Sequence, residues 1–397
     1  MLPSLSADVR QYLVVTGNYW AFTLTDGALR MLVVLHFHQL GYSPLEIAAL
    51  FLFYEFFGIV TNLLGGYLGA RIGLNRTMNV GLALQVVALA MLTVPAAWLT
   101  IPWVMGAQAL SGIAKDLNKM SAKSAIKLLV PEGQPGRLYQ WVALLTGSKN
   151  ALKGAGFFLG GLLLGVFGFR GALTAMATTL ALVWVASLVL LHRDLGRAGT
   201  KPKFSELFSK SRPVNLLSAA RLFLFGARDV WFVVALPVFL ASELGWTFLG
   251  VGSFLAAWII GYGIVQSAAP LVTQRAGAVH GGTATVWAVP LAVVPAAIAL
   301  AMGLADATSV ILVGGLLLFG ALFAVNSSLH SYLIVSYARA DGVSLDVGFY
   351  YMSNAAGRLL GTILSGWVFQ QFGLEACLWV SSAMLLLAVA FTAPLPR

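Results

Sequence analysis

Apolar runs of about twenty residues recur along this chain, and each is long enough to cross the hydrocarbon core of a bilayer as a helix. They fall near 11–38, 44–69, 77–97, 101–126, 139–168, 171–191, 215–240, 247–270, 281–304, 308–335, 347–372 and 374–394. In lipid every backbone N–H and C=O needs a partner within the protein, so such a run is helical from end to end. The connections are short except for one polar stretch, HRDLGRAGTKPKFSELFSKSRPV at His192–Val214, close to the middle of the chain. The spacing therefore predicts an all-α membrane protein of twelve transmembrane helices. It divides into a six-helix bundle over 1–191, a cytoplasmic linker over 192–214 and a second six-helix bundle over 215–397. The composition agrees: 59% of the 397 residues are hydrophobic and 10% charged, with a mean hydropathy of +0.87.

The basic residues orient the chain. With the N-terminus inside, the inner segments hold thirteen Lys and Arg, including Arg10, Arg71, Arg76, Arg137, Arg275 and Arg339, while the outer loops hold Arg170 alone. Cytoplasmic loops carry this excess, so both termini are expected in the cytoplasm, for a multi-pass protein of a bacterial inner (plasma) membrane. Met1–Arg10 is polar and is not expected to be a cleavable leader. The single Cys377 excludes a disulfide framework within the chain. A net charge of +10 could point to nucleic acid, but no soluble domain exists to carry such a site. The expected partners are a small anionic solute and the lipid bilayer. No cofactor or metal is expected, nor any assembly beyond a monomer.

The halves read as distant copies. SKNALKG at Ser148–Gly154 aligns with SNAAGRL at Ser353–Leu359, a shift of 205 that sets Lys153 on Arg358. TDGALRMLVVL around Asp26 resembles GARDVWFVVAL around Asp229. Repeated six-helix halves are the design of major facilitator transporters. The loop GGYLGARIGLNR, Gly65–Arg76, resembles that superfamily's signature at Gly66, Leu68, Arg71 and Gly73, with Ala70 in the acidic position. GFFLGG, Gly156–Gly161, resembles the glycine motif of antiporters, and equally suits close helix packing.

Charge inside the membrane is costly, by a few kcal/mol per residue. Ten basic residues lie in or beside the spans: Arg30, Lys115, Lys119, Lys123, Lys127, Lys149, Lys153, Arg221, Arg228 and Arg358. The acids there are Asp26, Glu55, Asp116 and Asp229. The excess of about six positive charges calls for an anionic ligand or water. The densest group is SGIAKDLNKMSAKSAIKL, Ser111–Leu128, where four lysines recur every fourth residue and so share one stripe of a helix. Lys115 lies ~20 Å along that helix from Pro102 at 1.5 Å per residue, while Lys123 and Lys127 are expected near the cytoplasmic mouth. Lys149 is ~15 Å into the fifth span and Arg358 ~17 Å into the eleventh. With Lys153, one turn from Lys149, they are expected to form an anion clamp where the repeats meet, the usual place for transported substrate.

The expected substrate-binding set is Lys115, Lys119, Lys149, Lys153, Arg228, Arg358, Arg30, Tyr351 and Asn354. Asp26, Glu55 and Asp229 are the candidates for proton coupling. Asp26 and Arg30, four apart, are expected to pair within their helix. Glu55 has no base on its own helix, which suits it either to carry a proton or to serve as a hydrogen-bonded structural acid. Arg228 and Asp229, as sequence neighbours, are expected to face different ways. Arg221 is expected to lie shallow, toward the cytoplasm. His36 and His38 do not share a helix face, so an interfacial role is expected rather than a metal pair.

Two stretches carry a closer resemblance: GNYWAFTLTDGALRMLVVLHFHQLGYSP at Gly17–Pro44 and SGIAKDLNKMSAKSAIKLLVP at Ser111–Pro131. They resemble the organoarsenical efflux permeases (the ArsJ family), a branch of the major facilitator superfamily, and the likeness extends along the whole chain. Membership implies export of 1-arseno-3-phosphoglycerate, formed when glyceraldehyde-3-phosphate dehydrogenase takes arsenate in place of phosphate. Outside the cell that mixed anhydride falls apart to arsenate and 3-phosphoglycerate, which confers arsenate resistance. The implied link is thus to glyceraldehyde-3-phosphate dehydrogenase. The two oxyanions of such a ligand would suit two basic clusters, for example Lys115/Lys119 and Lys149/Arg358.

An antiporter for another small organic phosphate, such as a sugar or glycerol phosphate, fits the same charges. So does a flippase for anionic lipid. A membrane-embedded transferase would need a nucleophile beside a base, and no such constellation is visible, so the chain is not read as an enzyme.

Overall fold

The structure is a computed structural model and describes residues 7–42, 50–130, 133–191, 211–246, 248–304 and 308–396. The linker read at 192–214 lies outside the described residues up to 210. Every regular element described is helical. The α-helices are α1 (Ala7–Gln39), α2 (Leu52–Ile72), α3 (Leu74–Met91), α4 (Ile101–Leu129), α5 (Pro135–Leu190), α6 (Arg212–Phe232), α7 (Ala235–Ser242), α8 (Phe248–Thr273), α9 (Gly281–Leu304), α10 (Thr308–Tyr337) and α11 (Val343–Thr392).

Two of these are double spans. α5 runs 56 residues and α11 runs 50, and each is broken at one glycine: Gly168 (φ 65°) and Gly373 (φ 78°). A positive φ is strained for any residue with a Cβ, so glycine makes the corner between two membrane crossings. The two corners stand 205 positions apart, the same shift that aligns Ser148 with Ser353. The seventh span is α6 followed by α7. With α5 and α11 counted twice, the described helices make the twelve crossings expected from the apolar runs.

The chain forms two compact units. The first comprises 1–138, 148–208 and 338–352, and the second 139–147, 209–337 and 353–397. The stretch 139–147 of α5 therefore belongs to the second unit while the rest of that helix belongs to the first, and α11 belongs to the first unit up to 352 and to the second from 353.

In the first unit α4 is the axial element, packed on α1, α2 and α3. Small residues admit the close approaches. A Cβ on Gly112 would sit 2.6 Å from the Tyr54 carbonyl of α2, and one on Gly81 would strike Asn118. Gly156 and Gly160 of α5 lie against the backbone of α1 at Leu24 and Ala28, so GFFLGG packs helices here. The second unit is centred on aromatic rings. Trp231 meets Phe319 and Trp258 edge-on at 5.0 and 6.0 Å, and Trp258 Nε1 donates to the Leu316 carbonyl at 2.9 Å. Large apolar side chains such as Phe158, Leu182, Leu271 and Leu304 point outward, as lipid-facing surfaces require.

Candidate functional site

α4 positions the lysine ladder. Its residues from Asp116 to Ile126 are all buried, so Lys119 and Lys123 are enclosed by protein, while Lys115 and Lys127 are part-buried. Lys123 is 2% exposed, so neighbouring helices close around it.

Tyr54 of α2 is the hub of the first unit, and the sequence reading missed it. Its hydroxyl donates to Asp26 Oδ1 of α1 at 2.7 Å. One cation lies 3.8 Å from its ring centroid, Lys115 Nζ, and another at 4.8 Å, the Arg30 guanidinium. Arg30 Nη2 reaches Glu55 Oε1 at 3.1 Å. The intrahelical Asp26–Arg30 pair is thus replaced by two cross-helix contacts, and Glu55 has a base from α1. The physical reason is reach: Asp26 and Arg30 both face α2, whose Tyr54 and Glu55 take one each. The signal available in sequence was a tyrosine inside the aromatic run FLFYEFF, where a phenol needs a polar partner.

Asp116 pairs on its own helix, with Lys119 at 2.5 Å and Lys115 at 3.9 Å, and not with a neighbouring span. Lys119 and Lys123 lie 4.6 and 5.2 Å from the Tyr351 ring centroid. Tyr351 sits in the opening turns of α11, within the first unit. Tyr19 of α1 is 1% exposed. Four bases (Arg30, Lys115, Lys119, Lys123) thus face three acids (Asp26, Glu55, Asp116). Lys149 and Lys153 of α5 belong to the same unit and are part-buried. Their stretch of α5 lies along α1, where Trp20 Nε1 donates to Ser148 Oγ at 2.8 Å and Gly27 crowds the Lys153 carbonyl.

In the second unit one carboxylate gathers two guanidinium groups. Asp229 Oδ1 accepts from Arg228 Nε at 2.6 Å, and Oδ2 accepts from Arg358 Nε at 3.1 Å. Arg228 therefore folds back on its neighbour, against the expectation that the two diverge. Its long side chain can bend where a short one could not, and Phe225 and Phe323 flank the guanidinium at 4.9 and 5.5 Å. Arg221 is 3% exposed, so its side chain is enclosed by protein rather than facing the cytoplasm. Its Nε donates to Asn354 Oδ1 at 2.8 Å, and Nη1 donates to Ser327 Oγ at 3.2 Å.

The loop signature also takes shape. Gly73 caps α2 through its N–H to the Gly69 carbonyl. Ala70, in the acidic position, is buried, and the nearby Gly66 and Gly69 touch Ser344 of α11. A carboxylate is found two residues on: Asp346 is fully buried, lies 3.6 Å from Arg339 and acts electrostatically on Lys127. His36 stacks on Phe169 at 3.9 Å; the His38 side chain lies outside the described residues. Chemically, both units can attract and hold small anions, since cations outnumber acids around each cluster and low-dielectric surroundings strengthen their field.

The family profile described as Major Facilitator Superfamily matches residues 13–343. No curated protein sequence matches the chain closely enough to stand as a relative. Among solved structures, the human organic anion transporter MFSD10 superposes with a TM-score of 0.75 at 17% identity, over 98% of this chain and 100% of its own. The fucose:proton symporter of E. coli gives 0.74 at 12%, over 98% of each chain. A bacterial homologue of the iron transporter ferroportin gives 0.75 at 16%, again over 98% of each. At these identities the likeness is one of fold.

Proposed function

The chain belongs to the major facilitator superfamily and is a multi-pass membrane transporter rather than an enzyme; we propose that it is an efflux permease for 1-arseno-3-phosphoglycerate. In this reading it sits in a bacterial inner membrane with both termini cytoplasmic, works by alternating access as a monomer and confers arsenate resistance. Its cargo comes from glyceraldehyde-3-phosphate dehydrogenase acting on arsenate. The observation that supports the cargo class most directly is the enclosed ladder. Lys115, Lys119 and Lys123 place their ammonium groups on Tyr54 and Tyr351 faces, inside a cluster whose bases outnumber its acids. A cation–π contact holds a cation by roughly 0.5–2 kcal/mol, less than a desolvated oxyanion offers, so an arriving anion can take the lysines over.

Lys115 and Lys119 bind one oxyanion of the cargo. Lys149, Lys153 and Arg30 in the first unit, and Arg358 and Arg228 in the second, supply the remaining positive charge, and Tyr351 and Asn354 orient it. Asp26, Glu55 and Asp229 are the carboxylates available to couple transport to protons. Glu55 is the most accessible of them, its side chain 34% exposed. The decisive experiment is transport into everted vesicles from cells expressing the protein, with the cargo generated in place by the dehydrogenase and arsenate. Uptake that needs both dehydrogenase and arsenate supports the reading. Equal uptake of glycerol phosphate or a sugar phosphate without arsenate replaces it with the alternative, an antiporter of another small organic phosphate anion.

A further inference from the structure

Asp116 is the one acid within the lysine ladder, and the cargo reading above gives it no part. It stands on α4 among Lys115 and Lys119, and its carboxylate reaches both. Oδ1 pairs with Lys119 Nζ at 2.5 Å, and Oδ2 lies 3.9 Å from Lys115 Nζ. Asp26 and Glu55, the other acids of this cluster, are engaged across the helices by the Tyr54 hydroxyl and by Arg30. The Asp116 carboxylate is also recessed. α2 presents Gly58 to it, and a Cβ there would lie 3.1 Å from Oδ2. The Asp116 side chain is 1% exposed, against 16% for Lys115 and 11% for Lys119. An anion reaching the cluster therefore meets the ammonium groups in front of the acid.

Each of these ammonium groups is shared between the acid and a neutral ring. Lys115 Nζ stands 3.8 Å from the Tyr54 ring centroid and 3.9 Å from Asp116 Oδ2. Lys119 Nζ stands 4.6 Å from the Tyr351 centroid while it holds Oδ1. Oδ2 makes no hydrogen bond. A buried carboxylate oxygen in that condition draws any cation within reach. Lysine stems carry their charge a few bonds to either side with no change of backbone. Because Asp116 is fixed to the same helix as both lysines, its effective concentration beside them stays high. Acid and arriving oxyanion thus compete for the same two cations, and their like charges repel across the ammonium groups.

We infer that Asp116 is a built-in competitor for the oxyanion of the cargo. It occupies Lys115 and Lys119 while no anion is bound, yields them when one arrives, and reclaims them to drive it off. This rests on the reading of the ladder as the cargo's anion site, and it assigns Asp116 the setting of affinity and release without contact to the cargo. Passage across a membrane needs binding strong enough to load and weak enough to empty. Two lysines with no acid between them would load and not empty. A carboxylate that merely held the ammonium groups in position for the cargo would act with the opposite sign, and its loss would weaken binding.

Anion binding by the purified protein tests the sign, with inorganic phosphate and 3-phosphoglycerate as probes. A ligand of the folded state raises the thermal unfolding midpoint according to its concentration over Kd. Asp116→Asn keeps the shape of the side chain and removes its charge. It is expected to bind the probe about ten-fold more tightly than the wild type. Transport at saturating cargo in everted vesicles is expected to fall several-fold in the same variant, because release is slowed. In a Lys115→Ala/Lys119→Ala background the substitution should give no gain in affinity. Infrared difference spectra of the wild type give a second readout that needs no variant. Saturation with the probe should shift an ionised-carboxylate band as the acid loses its ammonium partners, and an unchanged carboxylate region overturns the inference. Unchanged or weaker probe binding in folded Asp116→Asn overturns it as well, and leaves the cargo reading standing if wild-type transport still depends on arsenate. No binding of either probe by wild type or Asp116→Asn removes the ladder as an anion site and this inference with it. The expected tightening without any arsenate-dependent transport would count against the cargo and support the competitor.

Discussion

The two units build their charged centres from different parts. In the first, three acids on three helices each hold separate partners: Asp26 takes the Tyr54 hydroxyl, Glu55 takes Arg30, and Asp116 takes Lys119 and Lys115. In the second, Asp229 holds both Arg228 and Arg358, while Arg221 bonds Asn354 and Ser327. Lysine dominates the first and arginine is the base of the second. An ammonium on a long stem can leave an aromatic face for an arriving anion with little rearrangement. A guanidinium held through its fork gives up oriented bonds when it moves. The first unit is built to exchange partners, and the second to keep them.

Substitutions can break that contrast, beginning with the most damaging. Asp229→Asn should destabilise the protein by about 3 kcal/mol, because it takes a fully buried carboxylate away from two part-buried guanidinium groups. Thermal unfolding measures the loss, and removing Arg358 as well should recover part of it. An Asp229→Asn protein as stable as the wild type would show that the second unit is not pinned. Next, Lys119→Ala should abolish arsenate resistance while the protein still reaches the membrane, and Lys149→Ala and Arg358→Ala should do the same. Full resistance in all three would remove the anion site assigned to them.

Tyr54→Phe deletes one buried hydrogen bond to a charged acceptor, worth about 1.5–3 kcal/mol. It should lower the unfolding midpoint and reduce transport about ten-fold, with the ring still available to Lys115 and Arg30. Smallest is the change at Tyr351. Phenylalanine there should transport nearly as well as the wild type, and leucine should lower apparent affinity by a few-fold, in keeping with a cation–π contact of roughly 0.5–2 kcal/mol. A Tyr351→Leu protein with unaltered concentration dependence would mean the lysines do not depend on that ring.

The architecture was legible because lipid admits few solutions. Twelve apolar runs imply twelve helices, and the shift of 205 between SKNALKG and SNAAGRL reappears in the corners at Gly168 and Gly373. The pairings were far less legible. Glu55 finds Arg30, 25 positions away, only because α1 and α2 cross at that height. Helical periodicity puts residues on a face but does not say which neighbour the face meets. Tyr54 was overlooked because it sits in an aromatic run that reads as lipid-facing. The enclosure of Arg221 and Lys123 was not legible, because counting residues along a helix gives a height and says nothing about what surrounds it.

The meeting of α2 with the opening turns of α11 has a further consequence. A Cβ on Gly66 would lie 2.4 Å from the Ser344 carbonyl, and one on Gly348 would lie 2.6 Å from that of Asn62. Backbone meets backbone there, with no side chain to compress, so the smallest added methyl acts as a wedge. Gly66→Ala or Gly348→Ala is therefore expected to unseat the opening turns of α11 through the backbone alone.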